Sequence, residues 1–172
     1  MTNHPAPTSK EALGLDIGRV ITSDANEGEF DIFSDYYLLS LPRPGAISTI
    51  RSLVDQRYGG ENVYLISKAK NRTQSRMAQL LRQWRFYSRT GVPEENVHFC
   101  AEDSDKSAIA SRLGVTEFVD DKVGVLKQMP DTMQRFLFVP PSEQLPLYVP
   151  EGIVPVIGWA GVQSALLCVP AE

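Results

Sequence analysis

Five polar residues mark places where apolar runs stop or a helical segment starts. Asp16 lies near the end of "ALGLDI", Ser67 closes "NVYLIS", Asp120 and Asp121 close "EFVDD", and Lys106 opens "DKSAIASRLG". One carboxylate, one hydroxyl, one ammonium and two more carboxylates make a set suited to handling an anion beside a metal. Three crowded acids repel and raise one another's pKa unless a cation joins them, and hard oxygen donors on so few residues suit Mg²⁺. Each residue alone has a plainer reading. An Asp or Ser at a strand end commonly forms a cap or turn, and a lone Lys is usually a surface charge. The chemistry therefore depends on whether the chain brings these residues together.

The elements that would position them are short, near-continuous apolar runs at 12–17, 62–67, 96–100, 117–121 and 135–139. Unbroken runs of this kind are expected of parallel strands covered on both faces. Between them lie segments with apolar residues at steps of three or four, such as Ile47, Ile50, Leu53 and Val54, or Met77, Leu80, Leu81 and Trp84. Strand and helix alternate, which predicts an α/β fold: an open, parallel, five-stranded Rossmann-like sheet with right-handed crossovers and helices on both faces. The carboxyl ends of parallel strands share one edge, so Asp16, Ser67, Lys106, Asp120 and Asp121 should meet in one crevice. The 172 residues suit a single domain over 12–172, preceded by a polar, Pro-containing N-terminus (1–11) expected to fray.

The order "LGLDIGRVI", "VYLIS", "DKSAIASRLG", "EFVDD" resembles the four-motif pattern of the haloacid dehalogenase (HAD) superfamily, most of whose members are Mg²⁺-dependent phosphatases. The resemblance spans about Leu13 to Val139, and "LPRPGAISTIRSLV" is similar to the first crossover helix of that family. Receiver domains use a related acid-lysine pocket, but their acid pair sits on the first strand and their lysine follows the last, which fits this chain poorly. The resemblance implies that Asp16 is the nucleophile, forming an aspartyl-phosphate and ligating Mg²⁺. It implies that Ser67 and the backbone amides of Lys68 and Ala69 bind the phosphoryl group, that Lys106 neutralises both anions, and that Asp120 and Asp121 hold the metal directly or through water. No order between those last two acids follows from sequence.

One position departs from the pattern. Phosphatases of this family usually carry a second Asp two residues after the nucleophile, as general acid and base, where this chain has Gly18. The backbone carbonyl at Gly18 can still serve Mg²⁺, whereas loss of a positioned acid or base typically costs ~10²–10⁴ in rate. Three explanations compete: a good leaving group such as an acyl phosphate or pyrophosphate, a substitute group such as Asp24, Thr22 or the substrate itself, or a catalytically impaired module that binds phosphoanions or regulates without turnover. Arg19 reads either as a solvent-facing charge or as an electrostatic partner of the phosphate.

The gaps between motifs leave no room for a cap domain, so the resemblance implies a capless member with an open site, taking macromolecular or small phosphorylated substrates or closed by a homo-oligomer partner. Residues 22–43 separate the first strand from the first helix and are expected to form a flap-like segment over the site. A small hairpin around "ANEGE" would lie there, with Phe30, Ile32 and Phe33 packing back. From Ser67 to Pro93 there are seven basic residues and no acid, in a chain of net charge -4. Arg72 and Arg76 share a helical face and would steer a polyanion such as a nucleotide, with Trp84, Phe86 and Tyr87 as stacking platforms; the competing reading is a solvated face with Trp84 in the core. His98 reads as a packed strand residue, and Cys100 and Cys168 as reduced core residues. "GIVPVIGWAGVQSALLCV", interrupted by Pro155 and glycines, reads as a strand and a short helix rather than a membrane span. Without a signal-peptide pattern, a cytoplasmic location is expected.

Overall fold

The computed structural model describes residues 10–23 and 30–167. Six strands form one parallel sheet: β1 (Leu13–Leu15), β2 (Val63–Lys68), β3 (Val97–Cys100), β4 (Glu117–Asp120), β5 (Gln134–Val139) and β6 (Ile153–Ile157), in the order β3-β2-β1-β4-β5-β6. Six α-helices accompany them: α1 (Ala46–Leu53), α2 (Asn71–Gln83), α3 (Phe86–Thr90), α4 (Asp105–Arg112), α5 (Val123–Leu126) and α6 (Gly158–Leu167). The sequence count of five strands is corrected to six. Residues 153–157 do form the expected strand, and it joins the sheet beside β5. Pro155 lacks a backbone donor, which is tolerable because β6 is an edge.

Apolar residues on both faces of the sheet account for the three layers. Leu13, Leu15 and Leu65 pack with Ile50, Leu53, Met77, Leu80 and Trp159 on the side of α1, α2 and α6. Ile66 and Phe118 pack with Ala110, Val125 and Leu126 on the side of α4 and α5. Gly14 is required at the centre of β1, since a Cβ there would lie 2.5 Å from Phe118 Cδ2. Strand order reverses between β1 and β4, so the crevice beyond their carboxyl ends is the natural ligand position in such a sheet.

The helical segment expected around Met77, Leu80, Leu81 and Trp84 is broken at its end. α2 stops at Gln83, Arg85 takes a left-handed conformation at φ 54°, and α3 starts at Phe86. Trp84 and Phe86 are buried, and Trp84 Nε1 donates to the Ser40 carbonyl at 2.9 Å. These rings belong to the core rather than to a stacking surface.

Residues 30–41 lie along α2. Arg76 donates to the carbonyls of Ile32 and Ser34 at 2.8 and 3.0 Å and stacks over Tyr37, while Gln83 donates to the Leu38 carbonyl. An antiparallel bridge between Thr22 and Pro42 joins the two ends of the segment. Ile32 packs inward as expected, but Phe30 and Phe33 are exposed, Phe33 at 73%. The hairpin expected at "ANEGE", Asp24 and Cys168 fall outside the described residues.

Candidate active site

The parallel ladder carries Asp16 to the sheet edge: Leu15 pairs with Leu65 and Val119, and the Asp16 amide extends the ladder to the Val119 carbonyl at 3.0 Å. Ser67 arrives on β2, Asp120 ends β4, and Lys106 sits in the first turn of α4. All four are buried. Lys106 Nζ lies 3.1 Å from Asp16 Oδ1 and 2.8 Å from Asp120 Oδ2. Ser67 Oγ donates to Asp16 Oδ1 at 2.7 Å, and the Ile17 amide donates to the same oxygen at 2.8 Å. Three donors thus converge on one oxygen of a single carboxylate.

Electrostatics within this cluster are unbalanced. Burial opposes the charge of Lys106, but Asp16 and Asp120 together outweigh it and hold its pKa above the ordinary lysine value. Asp120 is pushed up to about 7 by burial and by the charge of Asp16, against the pull of Lys106. Burial and Asp16 likewise raise Asp121, with Arg19 acting in the opposite direction. Lys106 contacts Asp16 and Asp120, and Arg19 reaches Asp121, so two cations face three acids. Asp16, Asp120 and Asp121 can each offer an oxygen such that the three lie within 4.8 Å of one another, a hard-oxygen set with surplus negative charge that fits Mg²⁺.

The geometry also separates the adjacent acids. Both oxygens of Asp120 are engaged, one by Lys106 and one by the Lys122 amide at 2.9 Å. Asp121 instead lines an open cleft of about 440 Å³ with Asp16, Gly18, Ser67 and Lys106. Asp121 is therefore the acid presented to a ligand in the cleft, and Asp120 stands behind it holding the lysine.

Among the phosphate-binding amides expected from sequence, the Ala69 N–H donates to the Cys100 carbonyl at 3.1 Å. Alternate strand amides point to opposite sides, so the Lys68 amide faces the β1 side. Gly18 is not imposed by backbone geometry. The left-handed residue of this turn is its neighbour Arg19, at φ 60°, and a Cβ on Gly18 would meet only Met77 Cε, at 3.8 Å. Thr22 Oγ1 accepts from the Arg19 amide at 3.0 Å and lines the same cleft.

Sequence reasoning missed several lining residues. Asp31 lines the cleft, held in a turn in which its Oδ1 accepts from the amides of Phe33 and Ser34, both at 2.9 Å. Thr73 and Met77 come from α2. Arg19 turns toward Asp121, with Nη1 3.4 Å from Oδ2, and toward Glu143 beyond β5. The expected basic face is largely committed elsewhere: Arg76 holds the 30–41 segment and Arg82 pairs with Glu94. His98 is a packed strand residue facing Tyr64, and burial lowers its pKa.

Solved structures place this architecture. A haloacid dehalogenase-like family hydrolase from Xanthomonas campestris superposes with a TM-score of 0.61 at 9% identity, covering 93% of this chain and 96% of that one. The fold is haloacid dehalogenase-like. An uncharacterised protein from Listeria monocytogenes serotype 4b gives a TM-score of 0.60 at 14% identity over 92% of this chain and 97% of its own. A Mesorhizobium loti protein described as a HAD-like phosphatase gives 0.51 at 12% identity over 100% and 93%. No family model and no curated protein matches the sequence. Among the described residues, no helix is long and apolar enough to cross a membrane.

Proposed function

We propose that this protein is a Mg²⁺-dependent phosphohydrolase of the HAD type, working through an aspartyl-phosphate on Asp16. The observation that carries this reading is the convergence of Asp16, Ser67 and Lys106 with the Asp120–Asp121 pair at the switch point of a HAD-like sheet. Asp16, Asp121 and the Gly18 carbonyl would hold the metal, with Asp120 behind them. When bound, Mg²⁺ supplies positive charge that lets a carboxylate approach a phosphoryl anion.

The chain's own groups do the rest. An oxygen of Asp16 attacks phosphorus as the bond to the leaving oxygen breaks, and that oxygen keeps the electron pair. Lys106 offsets charge on Asp16 and on the phosphoryl oxygens, while Ser67 and the Lys68 amide donate to those oxygens. A water then attacks the aspartyl-phosphate, regenerating Asp16 and releasing phosphate. Asp31 is the cleft carboxyl outside the metal trio, and it takes the proton-handling place that Gly18 leaves empty: proton to the leaving oxygen, then proton from water. Thr22, Ser23 and Asp31 to Phe33 form one wall of the cleft, and the site is read as open and capless, admitting small or macromolecular phospho-substrates.

Gly18 also supports a second reading, a HAD-fold module that binds phosphoanions without turning them over. A phosphatase screen with Mg²⁺ separates the two. Wild type releasing phosphate above an Asp16→Asn control supports the enzyme; equal release by both, with retained phosphate binding, supports the module.

A further inference from the structure

Lys106 is consumed by Asp16 and Asp120, yet three more cations, Arg19, Lys68 and Lys122, line the cleft. Lys68 ends β2 and Lys122 follows β4, the two strands flanking β1. Both ammonium groups approach the same oxygen, Asp103 Oδ2, at 3.7 and 3.2 Å, and Lys68 is also near Glu102. The third, Arg19, bridges Asp121 and Glu143. Apart from buried Asp121, these partners differ from Asp16 and Asp120 because Glu102, Asp103, Glu143 and the cations themselves are partly exposed. Exposed pairs contribute only about 0–1 kcal/mol, so a bound anion can displace them.

Arg19 adds an independent observation. A non-glycine residue in the left-handed region costs roughly 1–2 kcal/mol, and such outliers at a cleft point to a side chain that is needed there. Its planar fork suits carboxylate or phosphate oxygens in pairs. Glu143 already offers the guanidinium a carboxylate of this kind.

We propose, building on the phosphohydrolase reading, that the cleft takes phospho-compounds bearing a second anionic group, phosphate or carboxylate, received by Arg19, Lys68 and Lys122. Glu143 and Asp103 occupy these cations until that group displaces them. Arg19 and the lysines thereby set specificity, and Glu143 competes with substrate.

Two matched probe pairs test this. Benzylphosphonate and 4-carboxybenzylphosphonate cannot be hydrolysed, so calorimetric titration into wild type with Mg²⁺ reads the preference whatever the turnover. Phenyl phosphate and 4-carboxyphenyl phosphate read it as a kcat/KM ratio. The carboxylated member should be favoured at least tenfold, with the ratio shrinking as salt rises. Glu143→Gln should enlarge the ratio several-fold, Arg19→Gln should reduce it several-fold, and Arg19→Lys should restore part of it. A ratio near one, or a Glu143→Gln ratio equal to wild type, overturns the proposal. Absent turnover with the binding preference intact would count against the phosphohydrolase reading alone.

Discussion

Strand β4 buries an acid at each end, and the two ends are built differently. At its start, Glu117 receives the hydroxyl of Tyr58 and Nη2 of Arg57 at 3.0 Å, and Arg57 also binds Glu11 and the Leu166 carbonyl. At its end, Asp120 shares one lysine with Asp16 beside Asp121, and the cluster opens on a cleft. The first network is closed by side chains packed around it. The second pairs Asp121 with Arg19 but leaves Asp16 and Asp120 sharing one ammonium, beside open space where a ligand can add positive charge. Burial of a carboxylate is therefore no mark of function; what distinguishes the site is unrelieved charge next to open space.

Substitutions can break this contrast. Asp16→Asn should lower Mg²⁺-dependent phosphate release to background, a loss of at least about 10³-fold for a missing nucleophile, without lowering the melting temperature, since it removes one of two acids sharing Lys106. Lys106→Met leaves Asp16 and Asp120 buried without their cation and should cost about 3–5 kcal/mol in denaturant titration, together with all activity.

Proton transfer sharpens the contrast further. Gly18→Asp should raise turnover of alkyl phosphates roughly 10–100-fold, within the range for a positioned acid, because the added side chain has space on the cleft side. Asp31→Asn should slow wild type by about the same factor and matter less once Gly18→Asp supplies an acid. Steady-state rates across esters of differing leaving-group pKa provide the measurement, and unchanged rates in Asp31→Asn would remove Asp31 from the mechanism.

The site should also respond to pH. The pKa of Asp120 is raised, so its contribution to stability is present below the unfolded carboxylate value and fades as pH climbs through about 7. A bound cation reverses that loss. Stabilisation by Mg²⁺, read as a melting-temperature increment, should be larger at pH 8 than at pH 6. The smallest effect is expected at the opposite end of β4. Tyr58→Phe removes a donor from buried Glu117 and should cost about 1–3 kcal/mol of stability while leaving phosphate release unaltered.

What sequence could show followed from how far each signal reaches along the chain. The five apolar runs match β1–β5 to within a residue or two because strand burial is written in consecutive residues. Topology then assembled Asp16, Ser67, Lys106, Asp120 and Asp121 without further information. The sixth strand was read as a strand but left out of the sheet, since Pro155 obscures pairing at an edge. The break at Arg85 was invisible to periodicity, whose apolar spacing carried through to Trp84. Asp31 and the Arg19–Glu143 pair lie in loops with no periodic pattern, and the pair spans 124 residues of chain. Only packing brings such groups together. Arg76 taught the converse: a basic helical face can exist to hold carbonyls of a neighbouring segment.

The Thr22–Pro42 bridge has a consequence for how this protein could diversify. Because the two ends of the intervening segment already meet, lengthening it is nearly free, each doubling of a flexible loop costing only about 0.6 kcal/mol. The wall it contributes to the cleft can thus be rewritten or enlarged while the sheet and its buried charges stay as they are. Selectivity and foldability are inherited separately here, and a library confined to the exposed positions Phe33, Tyr36, Leu38, Leu39 and Leu41 would explore the first while Ile32 and Ser40 keep their buried places.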